Sequence, residues 1–366
     1  MRITCTKENL KKALNLTSKI SSSGATLPIL NNLLLKAEAG QLFVFSTNLE
    51  IAIKTWTGGH IEEAGSITVP SRTLAEFVNN TNEEKILLET KGNDLYIKTE
   101  KTETLIKGLP AEDFPLIPEI KPKTTSAISG GELAEGLGQV AFATAFSETQ
   151  PELSGVLFSF EEKTLCLAAT DRYRLAEKTL NLTTAVEGSQ KVIVPNRAIG
   201  ELQRVLSDYP QDTEIVISDN QILFRTGNAE LISRLIEAQY PDYQQIIPKS
   251  FLTTMEVSSK DLSAALKVSG LFAQDNNNVG LEIRQESNSL VLKSVSQRAG
   301  SNTSELAGKV EGQDNTIVFN YRYILECLNH VKQDKIIMKI INSGSPAMIE
   351  PAESMGYRYL VMPIRT

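Results

Sequence analysis

The chain has 366 residues, 41% of them hydrophobic and 22% charged, with 14 prolines, an ordinary globular composition that excludes collagen-like, low-complexity and largely disordered classes. At about 150 residues per domain the length predicts two or three units, each able to bury a core without disulfides or a structural metal. With 37 Lys and Arg against 44 Asp and Glu, the net charge of -7 argues against a protein held to nucleic acid by phosphate neutralisation alone.

The chain starts with Met1-Arg2-Ile3-Thr4-Cys5, which alternates like a strand and lacks the apolar block of a signal peptide. No apolar run reaches the roughly 18 residues that span a bilayer. Three cysteines, Cys5, Cys166 and Cys327, form no CxxC pair and no disulfide framework. The expectation is a cytoplasmic protein with no membrane association.

A helix follows the first strand, and its pattern recurs. Leu10-Lys11-Lys12-Ala13-Leu14, Leu133-Ala134-Glu135-Gly136-Leu137 and Leu262-Ser263-Ala264-Ala265-Leu266 share an L-x-x-x-L spacing that sets both leucines on one helical face. Each has a start signal in front: Thr6 with Asn9, Ser129 with Glu132, Ser258 with Asp261. Alternating strands come next, at Leu42–Phe45, Leu165–Ala168 and Leu290–Lys293, in steps of 123 and 125 residues. A second helical pattern opens after Val69-Pro70-Ser71-Arg72, Val194-Pro195-Asn196-Arg197 and Val318-Phe319-Asn320-Tyr321-Arg322, with the arginines 125 residues apart both times. Further strands are predicted at Lys85–Glu89, Glu214–Ser218 and Lys335–Ile341. Turn signals at Gly92-Asn93 and Asp219-Asn220 favour antiparallel hairpins over βαβ crossovers. Linker-like stretches at Glu119–Thr125 and Ile247–Thr254 divide the chain into three similar repeats, 1–121, 122–250 and 251–366, of α+β class with two helices each.

Catalytic signals are sparse. The two histidines, His60 and His330, lie in different repeats, and no GxSxG, P-loop, HExxH or GxGxxG pattern occurs. Asp171 in Thr170-Asp171-Arg172 reads as a hydrogen-bonding turn residue. No catalytic residue, metal or cofactor is assigned.

Over its whole length the chain resembles the bacterial DNA polymerase III beta subunits, the replicative sliding clamps. The matching residues are Thr26-Leu27-Pro28-Ile29-Leu30 with Asn32–Leu35, Ala169-Thr170-Asp171 with Arg174-Leu175-Ala176, Tyr240-Pro241-Asp242-Tyr243, and Val361-Met362-Pro363-Ile364-Arg365. The resemblance implies a non-catalytic processivity factor: a head-to-tail homodimer forming a ring, with antiparallel sheets outside and two helices per repeat lining a hole for double-stranded DNA. Such a ring holds DNA by topology, which reconciles the negative charge with a DNA partner.

The resemblance also implies sites. DNA would be met by Lys12, Arg72, Arg197, Arg204 and Arg322 on the helices and by Gln150. The intersubunit contact would pair an edge around Thr104–Lys107, including Thr104 and Ile106, with one around Val295–Ala299, adjoined by Leu271 and Phe272. A partner-peptide groove would be built from Leu153, Thr170, Arg174, Leu175, Pro241, Ile246, Leu360, Met362, Pro363, Ile364 and Arg365. Leu, Ile and Met supply adaptable apolar area there, and rim arginines can hold a carboxylate or a peptide carbonyl. Its occupants would be the replicative DNA polymerase, the clamp loader, and repair and translesion polymerases. Departures from the family stand at Gly24, in the acidic Ser147–Glu152 loop, at Arg172 in place of glycine, and at Pro346. The rival reading is a non-enzymatic repeat scaffold that binds partners without encircling DNA.

Overall fold

The computed structural model describes residues 1–20, 27–115, 120–146, 149–353 and 356–365; Gly24, Ser147 and Glu148 lie outside them. The first repeat runs β1 (Arg2–Thr6), α1 (Lys7–Thr17), β2 (Asn32–Glu38), β3 (Gln41–Thr47), β4 (Ile51–Gly58), β5 (His60–Glu63), β6 (Gly65–Pro70), α2 (Ser71–Asn80), β7 (Lys85–Lys91), β8 (Asp94–Lys98) and β9 (Glu103–Lys107). The second runs β10 (Thr124–Ile128), α3 (Gly130–Val140), β11 (Gly155–Glu161), β12 (Thr164–Thr170), β13 (Arg174–Asn181), β14 (Ser189–Pro195), α4 (Asn196–Asp208), β15 (Thr213–Ile217), β16 (Gln221–Thr226) and β17 (Ala229–Arg234). The third runs β18 (Thr253–Ser258), α5 (Ser259–Leu271), β19 (Asn278–Arg284), β20 (Ser289–Ser296), β21 (Gly300–Gly312), β22 (Asn315–Asn320), α6 (Tyr321–His330), β23 (Lys335–Ile340), β24 (Ala347–Pro351) and β25 (Tyr357–Val361). All strand pairs are antiparallel, as the turn signals predicted.

Local chemistry sets the helix starts. The side-chain oxygens of Thr6, Ser129 and Ser258 accept from the backbone N–H of Asn9, Glu132 and Asp261 at 3.4, 3.5 and 3.2 Å, so each first helix begins at its capping residue. Behind the cap of α1, Leu10, Ala13, Leu14 and Thr17 form the buried stripe; in α5 Leu262, Ala265, Leu266 and Ser269 do so at the same spacing. Each fully buried leucine contributes about 2 kcal/mol of transfer free energy.

In the first and third repeats the fourth strand pairs with two groups of strands. In the first repeat it breaks between β4 and β5 at Gly59, where a Cβ would come within 2.7 Å of Ile3 Cδ1, so only glycine lets the strand cross β1 that closely. In the third repeat it is one long strand: β21 pairs with β20 through residues 300–307 and with β18 through 308–312.

Three sequence repeats nevertheless pack as two compact units. One comprises Met1–Ala134, Leu182–Glu187 and Arg197–Leu235; the other comprises Glu135–Asn181, Gly188–Asn196 and Ile236–Thr366. The physical reason is strand pairing across repeat boundaries. β4 pairs with β17, setting Ile53 opposite Leu231, and β13 pairs with β25, setting Ala176 opposite Tyr359. These junctions generate an eight-stranded sheet in the first unit, ordered β10-β15-β16-β17-β4-β3-β2-β6, beside a five-stranded one, β5-β1-β7-β8-β9. In the second unit they generate a twelve-stranded sheet, β14-β11-β12-β13-β25-β24-β23-β18-β21-β20-β19-β22. The middle repeat is thus shared between the two units. The expected linkers are shorter than predicted, since β10 already starts at Thr124 and β18 at Thr253.

Candidate functional site

The proposed groove residues come from elements of the second unit. The β12–β13 hairpin turns at Asp171-Arg172-Tyr173, and Asp171 holds the tip: Oδ1 accepts from the N–H of Tyr173 at 2.9 Å and of Arg174 at 3.0 Å. This is the turn role that sequence assigned to Asp171. Arg172 takes φ +77°, the left-handed region that favours glycine, and its side chain is exposed. Beside the hairpin, Leu175 lies opposite Leu360 and Arg174 opposite Val361. Past β25 the chain continues extended: Met362 N–H donates to Tyr173 O and Ile364 N–H to Val318 O, both at 2.8 Å. Met362 and Arg365 are exposed, and Pro363 and Ile364 half-buried.

The segment 236–251 supplies the other side. Ile236, Tyr240, Ile247 and Phe251 pack on a cluster of Leu157, Ala168, Leu175, Ile193, Tyr243, Met348 and Leu360. Pro241 and Ile246 remain exposed on this segment, next to the buried Tyr243. Thr170 is buried, with its hydroxyl donating to Arg174 O at 2.6 Å. Leu153 is buried in the turn leading into β11 and lies outside that cluster.

Arg174 is held by three acceptors. Its Nε donates to Asp171 Oδ2 and its Nη2 to Phe142 O, both at 2.9 Å, and Nη1 pairs with Glu326. The guanidinium also stacks 4.7 Å from the Tyr323 ring centroid. Although burial opposes its charge, the hydrogen bond it donates to Glu326 and the nearby Asp171 hold its pKa above the ordinary arginine value. A cation so engaged braces the hairpin. The exposed cations at this rim are Arg172 and Arg365.

The helix cations divide into two classes. Arg72, Arg197 and Arg322 are each the second residue of the second helix in their repeat, and all three are exposed. Arg72 pairs with Glu76 at 2.7 Å, and Arg322 donates to Asn277 Oδ1 at 2.9 Å. A positive charge in a first helical turn opposes the helix dipole, so the three placements repeat one small cost to the helices. Lys12 and Arg204 are tied down instead. Arg204 donates to Asn15 O and Leu16 O at 2.7 Å each, satisfying carbonyls at the end of α1. Lys12 reaches Asp208 O at 3.3 Å and lies 3.9 Å over the Tyr209 ring, at the end of α4. Both cations thereby join α1 to α4. Gln150 is half-buried, its carbonyl accepting from Leu153 N–H.

The two predicted edges are also visible. β9 pairs with β8, and among the described strands no other lies along it. Ile106 points into the core of the first unit, whereas Leu105 is 42% exposed, so the outward apolar residue is the one that sequence alternation left out. Thr104 is half-buried on the Ile106 face. In the second unit the stretch with one open edge is the first half of β21, residues 300–306, which pairs with β20 on its other side, rather than 295–299, where β20 ends and turns. Leu271 at the end of α5 is 58% exposed and Phe272 half-buried, so Leu271 is not a core residue. Asn302 on β21 donates to Ser269 Oγ at 3.1 Å, setting the helix end beside that edge.

Among the described residues no group of three or more His, Cys, Asp or Glu could hold a metal ion, and no helix is long and apolar enough to cross a membrane.

Three family models match in succession: the N-terminal domain of the DNA polymerase III beta subunit over residues 1–118, its central domain over 127–242 and its C-terminal domain over 244–365. The chain is 32% identical to the beta sliding clamp of Synechococcus elongatus over 372 residues, covering 100% of this chain and 99% of that one. To the Staphylococcus aureus beta sliding clamp it is 29% identical over 376 residues, with both chains fully covered. Among solved structures it is similar to a Pseudomonas aeruginosa sliding clamp bound to griselimycin, with TM-score 0.96, 26% identity and full coverage of both chains. The DNA polymerase III beta subunit of Thermotoga maritima superposes with TM-score 0.93 at 28% identity, covering 100% of this chain and 99% of that one.

Proposed function

The chain belongs to the DNA polymerase III beta subunit family of sliding clamps, and from that premise we propose that two copies close head to tail into a ring around duplex DNA. One observation carries the reading. Each internal junction joins the fourth strand of one repeat to the last strand of a neighbouring one, β4 to β17 and β13 to β25. The third repeat's β21 and the first repeat's β9 are the corresponding strands left over, one in each unit. A heterologous contact between them in two copies closes a ring of six repeats in which every junction is of the same kind.

Carrying the register of the two internal junctions to this third one sets Thr104 opposite Asn302 and Ile106 opposite Gly300. At the internal junction Phe142, just after α3, packs on Tyr359 of β25 with ring centroids 5.8 Å apart. Leu271 is the residue in the position of Phe142, which accounts for its exposure in a single chain. Arg72, Arg197 and Arg322 would then face the DNA backbone from equivalent positions, with no sequence preference. The groove around Leu175, Leu360, Ile246 and Met362 would take an extended peptide with apolar side chains from the replicative polymerase, the clamp loader, or repair and translesion polymerases. The protein would act in the cytoplasm as a non-catalytic processivity factor.

A chain loaded onto nicked circular DNA should survive a high-salt wash and leave when the circle is linearised. Retention that ignores linearisation overturns the ring and favours a scaffold that binds partners without encircling DNA.

A further inference from the structure

The segment 236–251 contains no strand and crosses the twelve-stranded sheet as a strap. Backbone hydrogen bonds tie its ends to that sheet, Ile236 N–H to Ile193 O at 2.9 Å and, just beyond it, Leu252 N–H to Ile340 O at 3.0 Å. Between these ends two tyrosine hydroxyls reach down. Tyr240 donates to Ala168 O at 3.5 Å, and Tyr243 donates to Glu177 Oε2 at 2.7 Å. The two rings meet edge to face, 6.3 Å apart.

Glu177 is the unusual member. Its side chain is 2% exposed, and a carboxylate that deeply buried is costly unless its oxygens are satisfied. Oε2 receives the strap's Tyr243, while Oε1 pairs with Arg358, the residue directly across on β25. One pair further along the same two strand faces, Leu175 lies opposite Leu360. The carboxylate therefore fastens both sides of the groove at once: the strap that carries Pro241 and Ile246, and the strand that leads to Met362.

We propose that Glu177 and Tyr243 are positioning residues for the peptide groove, setting the distance between strap and β25 so that Ile246 and Met362 close on the same ligand. The proposal rests on the peptide-groove reading above. Neither side chain needs to touch the peptide; what they supply is a pre-formed cleft, which spares the ligand the cost of ordering the strap.

The test uses full-length protein and a fluorescein-labelled pentapeptide with two apolar side chains at its C-terminal end, followed by fluorescence anisotropy. Tyr243→Phe, which keeps the ring and removes the hydroxyl, should weaken binding about tenfold, as expected for loss of one hydrogen bond to a charged group. Its thermal unfolding midpoint should fall only modestly, and hydrogen exchange should quicken chiefly in the strap. Glu177→Gln, which retains an acceptor for Tyr243, should bind more tightly than Tyr243→Phe. Ile246→Asp serves as the direct-contact control and should abolish binding. If the parent protein fails to bind, the groove reading itself falls and takes this proposal with it. If Ile246→Asp loses binding while Tyr243→Phe binds like the parent, the groove stands and the positioning role is overturned. An affinity loss accompanied by a matching fall in the unfolding midpoint, with exchange quickened throughout the unit, also overturns it.

Discussion

Arg174 Nε and Asp171 Oδ2 meet at 2.9 Å across the tip of one hairpin, with the two side chains only 10% and 16% exposed. The same guanidinium reaches Phe142 O and Glu326, so one residue joins the hairpin to the turn after α3 and to α6. Replacing it by alanine leaves Asp171 without its cation and Phe142 O without its donor. Breaking a largely buried pair in this way costs about 3 kcal/mol. Arg174→Ala should therefore lower the urea midpoint markedly, and Arg174→Lys should recover little, because a lysine cannot address three acceptors in different directions. Unchanged urea stability would refute the bracing role.

Leu271→Asp and Leu105→Asp each place a charge on an exposed apolar residue beside an unpaired strand edge. Both variants should elute as folded monomers on gel filtration, since neither side chain supports the core of its own unit. A dimer persisting in both would remove this pair of edges from the intersubunit contact.

Removing Met362–Thr366 deletes the extended segment held by Tyr173 O and Val318 O. Peptide binding should be lost and the dimer retained, because β9, β21 and α5 are untouched. Unchanged peptide affinity in an anisotropy titration would exclude this segment from the groove.

Arg72, Arg197 and Arg322 can be changed to alanine together at little cost in stability, since their side chains are exposed. If they face phosphates, each loss should lower the slope of log affinity for DNA against log salt by about 0.9. Arg204→Ala should behave differently, lowering stability by uncovering the carbonyls of Asn15 and Leu16. Equal effects on DNA affinity and none on stability would erase the distinction drawn between the two classes.

His330 stacks on Phe142 with ring centroids 4.5 Å apart, and burial lowers its pKa below the ordinary 6.5, with Glu326 opposing that shift. The unfolded chain then binds more protons than the folded one as pH falls through 6.5, so stability should decline below that pH. His330→Gln should flatten the decline measured by thermal unfolding between pH 7 and pH 5. A slope identical to the parent's would assign the effect to other groups.

The repeats could be read without coordinates because the signals that make them are local. A capping hydroxyl three residues before its N–H partner, an i, i+3, i+4 stripe, and a glycine turn between alternating strands all act within a few residues. Leu105 shows where that reading stops: alternation says that Leu105 and Ile106 face opposite ways but not which way the core lies, and the structure turns Ile106 inward and Leu105 outward. Tyr240 and Tyr243 were visible within a family-like Tyr-Pro-Asp-Tyr segment. Nothing near them in sequence signalled that the second hydroxyl ends on a buried carboxylate 66 residues away.

By itself the sequence determined a threefold series of strand, helix, strands, helix and strands, together with the three arginines that recur at its second helices. Only the tertiary structure decided that three repeats pack as two units, that β9 and half of β21 keep an open edge, and which arginines are already spent. The reason is range: Arg174 finds Glu326 across 152 residues and Arg204 finds Asn15 across 189, and hydrogen-bond satisfaction over such separations belongs to the packed chain rather than to any local pattern.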